Sequence, residues 1–196
     1  MKSADVLSLR PTQFALGMLE VEVKCTKLRE LKHDELKDFL NSHPVPIILA
    51  PDGANYIIDH HHLVRAAWEV KITDVTIEKI KDLSHLTHAK FWEEMEKEKW
   101  TYLHDQFGKG PHSPEFLPLD VRGLADDPFR SLAWALREKK GYNKTEQPFS
   151  EFHWAEFLRK HISFHPIKMG FHKALEEAEK LCHKPEAVNL PGYIKE

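Results

Sequence analysis

One stretch of the sequence combines an acid, three histidines and an arginine at spacings that suit acid–base chemistry, namely Asp59-His60-His61-His62-Leu63-Val64-Arg65. If a helix begins near His61, then His61 and Arg65 face the same side, and Asp59 lies just ahead of both. A carboxylate beside an imidazole can hold its tautomer, and histidine titrates near working pH. The pattern therefore makes Asp59, His61 and His62 candidate catalytic residues.

The surrounding residues predict that this stretch lies at the N-terminus of a helix. Residues 45–50 and 56–58 are apolar and flank a Pro-Asp-Gly turn, which predicts two strands. Apolar residues then recur at helical spacing after position 62. The first N–H groups of a helix lack internal partners and its dipole is positive there, so the turn suits a phosphate or carboxylate.

Two other interpretations of the stretch stay open. Asp59 could cap the helix while the histidines pack or form local hydrogen bonds, because aspartate is a favoured N-cap. Alternatively, His60 and His62 could share a zinc ion with further ligands such as Glu20 or Glu22, although no spaced motif of the HExxH kind is present. Magnesium bound with a nucleotide needs only one or two carboxylates beside the phosphate oxygens.

The composition is that of a globular chain. Of its 196 residues, 41% are hydrophobic and 30% charged. No run approaches the roughly 18 apolar residues of a membrane span, and the N-terminus lacks the apolar region of a signal peptide. We therefore expect a cytoplasmic protein without a membrane partner. The formal net charge of −3 argues against a broadly basic nucleic-acid surface but leaves room for a local basic groove.

The cysteines and the scattered histidines have simpler interpretations. Cys25 and Cys182 do not form a CxxC pair, so we expect reduced, structural thiols. Several of the 14 histidines, among them His88, His104 and His112, fall in polar stretches and are expected on the surface.

The first 83 residues predict an α/β region. Residues 6–10 and 75–77 suggest strands, and residues 33–40 a helix. Residues 18–23 alternate between apolar and charged, which favours a strand, although their composition also allows a helix. On a strand, Glu20 and Glu22 would share one polar face, which points either into a cleft or into solvent.

From residue 84 onward the pattern is mostly helical. Helices are predicted from 84 to about 108, from Asp127 to a stop at Gly141, over 150–162 and over 171–183. We therefore expect an α/β part at 1–83 and a helical part at 84–196, packed on it or forming one unit with it.

The sequence predicts specific roles for four side chains of the helical part. Asp127 should cap its helix, and Arg130, one turn later, should pair with the nearby acids or reach an anion. Trp154, like Trp134, should make helix–helix contacts rather than stack on a base, because apolar residues share its helix.

Four segments carry a resemblance to a known superfamily, and they are Arg10-Pro11-Thr12-Gln13, Asp59-His60-His61-His62, Asp126-Asp127-Pro128-Phe129-Arg130-Ser131-Leu132-Ala133-Trp134 and Phe152-His153-Trp154-Ala155-Glu156-Phe157. In this order they resemble the ParB/sulfiredoxin superfamily, and more narrowly its stand-alone ParB-like nuclease family. The resemblance covers most of the chain. It implies an α+β fold, in which a small mixed sheet with helices is followed by a C-terminal helical extension.

The resemblance also implies a ligand. In the superfamily, the strand-turn-helix that corresponds to residues 57–67 binds nucleotide phosphates. A nucleotide or phosphorylated ligand is therefore expected here, with Mg²⁺ arriving with it, a catalytic acid at Glu20 and ligand contacts at Gln13, His60, Arg65 and Arg130. Relatives commonly carry glycine and, three residues later, arginine where this chain has His60 and Leu63. Glycine permits close backbone approach and arginine clamps phosphate, so the charge would come from Arg65, Arg130 or a lysine.

Three function classes follow from these features. The preferred hypothesis is an enzyme that binds a nucleotide or phosphorylated ligand at residues 57–67 and carries out phosphoryl transfer or hydrolysis. The second is a metal-dependent nuclease. The third is a non-enzymatic module that binds a nucleotide or DNA.

Overall fold

The chain divides into two compact units, Met1–Ala125 and Asp126–Glu196, in a computed structural model that describes residues 2–162 and 170–195. The first unit combines a mixed β-sheet with helices, and the second is helical. The boundary predicted at residues 83 and 84 lies inside the first unit, because the helix at residues 88–97 packs on the sheet of that unit.

The first unit contains, in chain order, β1 (Lys2–Asp5), β2 (Leu9–Pro11), β3 (Ala15–Leu16), α1 (Met18–Glu30), α2 (His33–Ser42), β4 (Val45–Leu49), β5 (Asn55–Ile57), α3 (His61–Glu69), β6 (Asp74–Asp82) and α4 (His88–Lys97). The short strand β7 is Ala125–Asp126, and the second unit contains α5 (Pro128–Glu138), α6 (Ser150–His161) and α7 (Phe171–Leu181). Short 3₁₀ helices cover Val6–Ser8, Pro114–Phe116, Val121–Gly123 and Pro185–Ala187. Within the described ranges, no helix has the length and apolar character needed to cross a bilayer.

The main sheet has the strand order β1-β6-β4-β5-β2 and is mixed. The predicted strand pair β4 and β5 is confirmed as antiparallel, and its turn contains Gly53 at a φ of +80°. This value lies in the left-handed region that glycine enters without a steric penalty. On the outer side of β5, β2 runs parallel to it, with Arg10 opposite Tyr56. The sheet and its helices confirm the expected α+β fold.

The two faces of the sheet are covered by different helices. Because successive side chains of a strand point to opposite faces, β4 and β5 contribute to both. Ile47 and Ile57 pack in the cluster that includes α1 and α3. Ile48 and Tyr56 pack in a second cluster with Phe91 of α4. Helices α1 and α3 and the Arg10–Tyr56 pair therefore lie on different faces of the sheet.

Helix α1 corrects the strand predicted for residues 18–23. Its buried positions are Val21, Cys25 and Leu28, which recur at helical spacing and face the core. Glu20 and Glu22 consequently do not share a face. The side chain of Glu20 is 12% exposed, whereas Glu22 lies in solvent.

Both cysteines are buried free thiols, which confirms that part of the sequence interpretation. Burial raises the pKa of the Cys25 thiol, so little of it is thiolate near neutral pH.

Two other predicted elements are shorter than expected. The strand predicted over residues 6–10 is interrupted because Asp5 Oδ1 accepts the Leu7 N–H at 2.8 Å and caps a 3₁₀ turn. The long helix predicted from residue 84 is limited to α4, which Thr87 caps by accepting the Lys90 N–H. Its continuation is broken at Lys99, which has a φ of 56°.

The second unit is built around a buried tryptophan. Trp154 is fully buried, and its ring stacks on Tyr142 with centroids 4.4 Å apart. Its Nε1 donates a hydrogen bond to the carbonyl of Pro191 at 2.7 Å. The predicted core role of Trp154 is confirmed.

Asp127 joins two helices of the second unit. It caps α5 as predicted, since its Oδ1 accepts the Phe129 N–H at 2.9 Å. Its Oδ2 accepts a 2.6 Å hydrogen bond from Arg159 of α6, and the Asp127 side chain is 3% exposed. Arg130 is also buried and forms an ion pair with Glu151 of α6 at 3.5 Å.

Replacing Asp127 should destabilise the second unit by more than a surface substitution does. We expect Asp127→Ala to lower the free energy of unfolding by about 2–3 kcal/mol, because it removes both the cap and the buried ion pair with Arg159. Asp127→Asn keeps an oxygen for the cap and should cost less. Urea unfolding measures both. Glu138→Ala, at an exposed acid of the same helix, is the control, and equal losses for Asp127→Ala and Glu138→Ala would contradict the assignment.

Candidate functional site

The candidate site is the strand-turn-helix that the sequence predicted. β5 ends at Ile57, α3 begins at His61, and the N-cap between them is His60, with a φ of 63° and a ψ of 19°. Only glycine adopts this left-handed conformation without a steric penalty. His60 therefore keeps the backbone shape for which a glycine is expected.

Asp59 precedes the N-cap of α3. Its exposed carboxylate accepts the N–H of His60 at 2.6 Å, and the N-cap residue His60 makes no side-chain cap. The N-cap position that the alternative interpretation gave to Asp59 is therefore occupied by His60. A carboxylate at this position remains open to solvent and lies at the start of α3.

His61 holds the segment that follows β2. Its side chain is buried, and its Nε2 lies 3.2 Å from the backbone nitrogen of Thr12. The Thr12 hydroxyl donates to the carbonyl of Ile57 at 2.8 Å. These two contacts fix Thr12 against the end of β5 and the first turn of α3.

His62 holds the other end of the same segment. Its buried Nε2 lies 3.1 Å from the backbone nitrogen of Gly17, which is the N-cap of α1. Two adjacent histidines of α3 thus contact both ends of residues 12–17, and α1 and α3 begin side by side. The positive ends of their dipoles converge there, which favours a negatively charged group.

These contacts assign the tautomers of the His61–His62 pair. A backbone N–H can only donate, so each Nε2 must offer a lone pair. The neutral rings then carry their proton on Nδ1. The pair therefore positions the loop with atoms that a general base or a zinc ligand would otherwise use.

Glu20 is an acid beside the pair. It lies in the first turn of α1, and its Oε2 is 3.5 Å from His62 Nε2, while its Oε1 is 3.4 Å from Lys24. An ion pair with His62 would need a proton on Nε2, which would displace the Gly17 N–H. The shorter Gly17 contact favours the neutral ring. Glu20 is thus a carboxylate at two converging helix N-termini.

Arg65 already has several protein partners. Its Nη2 lies 2.8 Å from Glu69 Oε1, and its Nη1 donates to the carbonyl of Val121 at 3.0 Å. Its guanidinium also lies 5.1 Å from the ring centroid of Trp68. Leu63, at the position of the expected arginine, is buried in the core. A phosphate contact by Arg65 stays a prediction and would require it to exchange these partners.

Gln13 and Arg130 complete the predicted set. Gln13 is buried and donates through Nε2 to the carbonyl of Ala15 at 2.7 Å, which shapes the loop between β2 and α1. Thr101 Oγ1 donates to the Thr12 carbonyl at 2.8 Å, so a later segment supports the same loop. Arg130 lies in the second unit with Glu151. A ligand contact for either residue stays a prediction.

A histidine that the sequence placed among scattered surface residues forms a carboxylate pair near this loop. His112 Nε2 lies 3.2 Å from Asp105 Oδ2, and the His112 ring meets the edge of Phe14 with centroids 5.5 Å apart. Burial works to raise the pKa of Asp105, but N–H groups of Lys109 and Phe107 together with His112 outweigh it, and the pKa is lowered. The ionised carboxylate holds the Nε2 proton of His112 and leaves Nδ1 as an acceptor. No local sequence motif predicts the contact between Asp105 and His112.

No group of three or more metal-ligating side chains occurs in the described part of the chain. In the His61–His62 pair, each Nε2 atom already accepts a backbone N–H. Neither Nε2 lone pair is therefore available to ligate a metal ion. A cation bound with a nucleotide is a different case, since phosphate oxygens supply most of its ligands.

The tautomers of the His61–His62 pair can be measured directly. Two-bond ¹H–¹⁵N correlation spectra should show both rings with the proton on Nδ1, because Thr12 and Gly17 donate to Nε2. His61→Asn and His62→Asn assign the signals, and exposed His33 should show both tautomers. Protonated Nε2 on either ring of the pair would contradict the hydrogen bonds.

Comparison with known proteins places the chain in a family. Residues 2–160 match the family model described as "Putative ParB-like nuclease". A solved structure, that of protein Atu1540 from Agrobacterium tumefaciens, is 40% identical with a TM-score of 0.91, and the match covers 98% of this chain and 95% of that one. Among the curated proteins none matches. The family model spans most of the chain, and the protein is thus a member of the ParB-like nuclease family.

Proposed function

We propose that the chain binds the phosphates of a nucleotide, with Mg²⁺, where α1 and α3 begin, and that it catalyses phosphoryl transfer or hydrolysis there. The observation that carries the proposal is the hydrogen bond from the Gly17 N–H to His62, which joins the two helix N-termini beside the Glu20 carboxylate. Two helix dipoles favour the anion, and a carboxylate at the same point can accept a proton from an attacking hydroxyl or water.

Each side chain has a specific role in this proposal. Glu20 is the general base, and exposed Asp59 orients the ligand or its cation. His61 and His62 hold the loop of residues 12–17, and their predicted part in proton transfer would use the Nδ1 protons. His60 contacts the ligand from the left-handed N-cap position of α3.

The charge around the site favours a ligand that brings its own cation. The side chain of Arg65 is 13% exposed and is already paired with Glu69. Arg65 would have to exchange this partner before it could contact a phosphate. Glu20 and Asp59 add negative charge. Magnesium bridges carboxylate and phosphate oxygens, so a Mg²⁺–nucleotide suits this arrangement better than a bare phosphate.

The binding part of the proposal is tested by thermal unfolding with ATP, ADP, CTP and GTP, each with and without Mg²⁺. A nucleotide at about 100 times its dissociation constant stabilises the folded state by about 2.7 kcal/mol, which corresponds to a rise in Tm of roughly 5–10 °C. Absence of a shift with all four nucleotides would refute the proposal.

The catalytic part is tested with Glu20→Gln and the matched variant Glu22→Gln on the same helix. We expect Glu20→Gln to keep the thermal shift and to lower turnover of the stabilising nucleotide about 100-fold or more, because it removes only the base. Exposed Glu22→Gln should behave like the parent protein. Equal turnover in both variants would remove Glu20 from the chemistry.

Metal-dependent DNA cleavage is the second candidate function, and the description of the matching family favours it. The net charge of −3 weighs against a broad DNA-binding surface, so DNA binding would depend on a local set of phosphate contacts and would weaken as the salt concentration rises. In this case, nicking of supercoiled plasmid with Mg²⁺ or Mn²⁺ is lost in Glu20→Gln and retained in Glu22→Gln. Salt-sensitive DNA binding without cleavage would instead identify a non-enzymatic module.

A further inference from the structure

A cavity of about 240 Å³ lies in the first unit on the sheet face that α4 covers. Arg10 and Tyr56, which are opposite each other on β2 and β5, line it together with His88 and Trp92 of α4. Residues of the segment 114–119 complete the lining. The cavity is therefore separated by the sheet from the face that α1 and α3 cover, and it does not depend on the function proposed above.

Arg10 and Tyr56 supply the cavity with hydrogen-bond donors. Arg10 uses Nη1 for Asp52 Oδ2 at 2.7 Å and for the Tyr56 hydroxyl oxygen at 3.2 Å. Within residues 2–162 and 170–195, Nε and Nη2 of Arg10 donate to no protein group. Because Tyr56 accepts from Arg10, its own O–H remains a donor. The Nε–Nη2 edge of a guanidinium is the edge that binds a carboxylate through two parallel hydrogen bonds.

The histidine of the cavity adds a donor as well. Trp92 Nε1 donates to His88 Nε2 at 3.2 Å, so His88 accepts at Nε2 and its neutral ring carries a proton on Nδ1. This contact also fixes the Trp92 indole, whose ring meets Tyr56 edge to face at 5.2 Å. The aromatic wall is therefore held in place before any ligand binds.

The remaining lining is largely apolar. Leu117 and two prolines line the cavity, and Leu119 at its rim is 77% exposed. A large apolar side chain this exposed at the rim of a cavity is available to cover a bound molecule.

We propose that this cavity binds a small monocarboxylate with an apolar body. The carboxylate accepts hydrogen bonds from Arg10 and Tyr56, and the body packs against Trp92, Leu117 and Leu119. The volume is below the roughly 300–1,000 Å³ of sites for drug-sized ligands, which restricts the ligand to a compact molecule.

Two acids restrict the charge of the ligand to a single negative charge. Asp52 already neutralises part of the Arg10 charge, and exposed Glu115 lines the cavity. A dianion such as a phosphate monoester would be repelled by both, whereas one carboxylate can share the guanidinium with Asp52. The Arg10–Asp52 pair is 35% and 44% exposed, so its partners exchange at small cost.

The proposal is tested by following the indole N–H signal of Trp92 in ¹H–¹⁵N spectra during titration with benzoate, hexanoate, benzyl alcohol and phenyl phosphate. The two carboxylates should shift the signal saturably, with a dissociation constant of about 1 mM. Benzyl alcohol and phenyl phosphate should bind at least about tenfold more weakly, because one lacks the charge and the other carries too much. No saturable shift with either carboxylate, or equal shifts with benzyl alcohol, would overturn the proposal.

Three variants and a matched control test which side chains contribute to carboxylate binding and whether the Arg10 charge strengthens it. Asp52→Asn keeps the oxygen that accepts the Ala54 N–H but frees Arg10, so it should tighten benzoate binding about threefold. Arg10→Met should weaken binding at least about tenfold, and Leu119→Ser, at an exposed position that does not threaten folding, about threefold. Arg29→Met, at an exposed arginine of α1, should change nothing. Weaker binding in Asp52→Asn, or no change in both Leu119→Ser and Arg10→Met, would contradict the assignment.

Discussion

The first unit depends on two hydrogen bonds in which adjacent histidines accept backbone N–H groups. His61 and His62 contact Thr12 and Gly17, the two ends of the segment that leads from β2 into α1. Buried N–H groups that lose their partner cost about 1–3 kcal/mol each, so these side chains hold the segment in one conformation. The relative position of α1 and α3, and with it the location of Glu20, follows from this pair of contacts.

The same contacts explain why a run of three histidines need not be a metal site. In a helix the two rings project in different directions, and here each one is met by a donor from the neighbouring loop. His60 is in a different situation, since it lies before the helix with a left-handed backbone. Three neighbours in sequence therefore occupy three environments, and a composition-based interpretation would treat them as equivalent.

The sequence predicts those elements whose pattern is local. The antiparallel strands around Gly53, the start of α3 and the Asp127 cap each follow from turn residues, periodicity or capping preference, and the structure confirms them. The pattern of residues 18–23 predicts a strand wrongly, because apolar residues at 19, 21 and 23 alternate as they do in a strand. The buried residues of helix α1 instead continue at helical spacing through Cys25 and Leu28. The partners of His61 and His62 lie 49 and 45 residues away in the sequence. Local periodicity therefore cannot predict these two contacts. The Asp105–His112 contact is hidden for a related reason, since it depends on an irregular loop.

The left-handed conformation of His60 affects how this turn can vary among relatives. At such a φ the steric cost depends on the side chain, and glycine, asparagine, aspartate and histidine are the residues that tolerate it best. The backbone of the turn can therefore stay unchanged while the group at the N-cap of α3 varies from a hydrogen atom to an amide or an imidazole. A substitution at position 60 can thus change the chemical character of the turn without any change of fold.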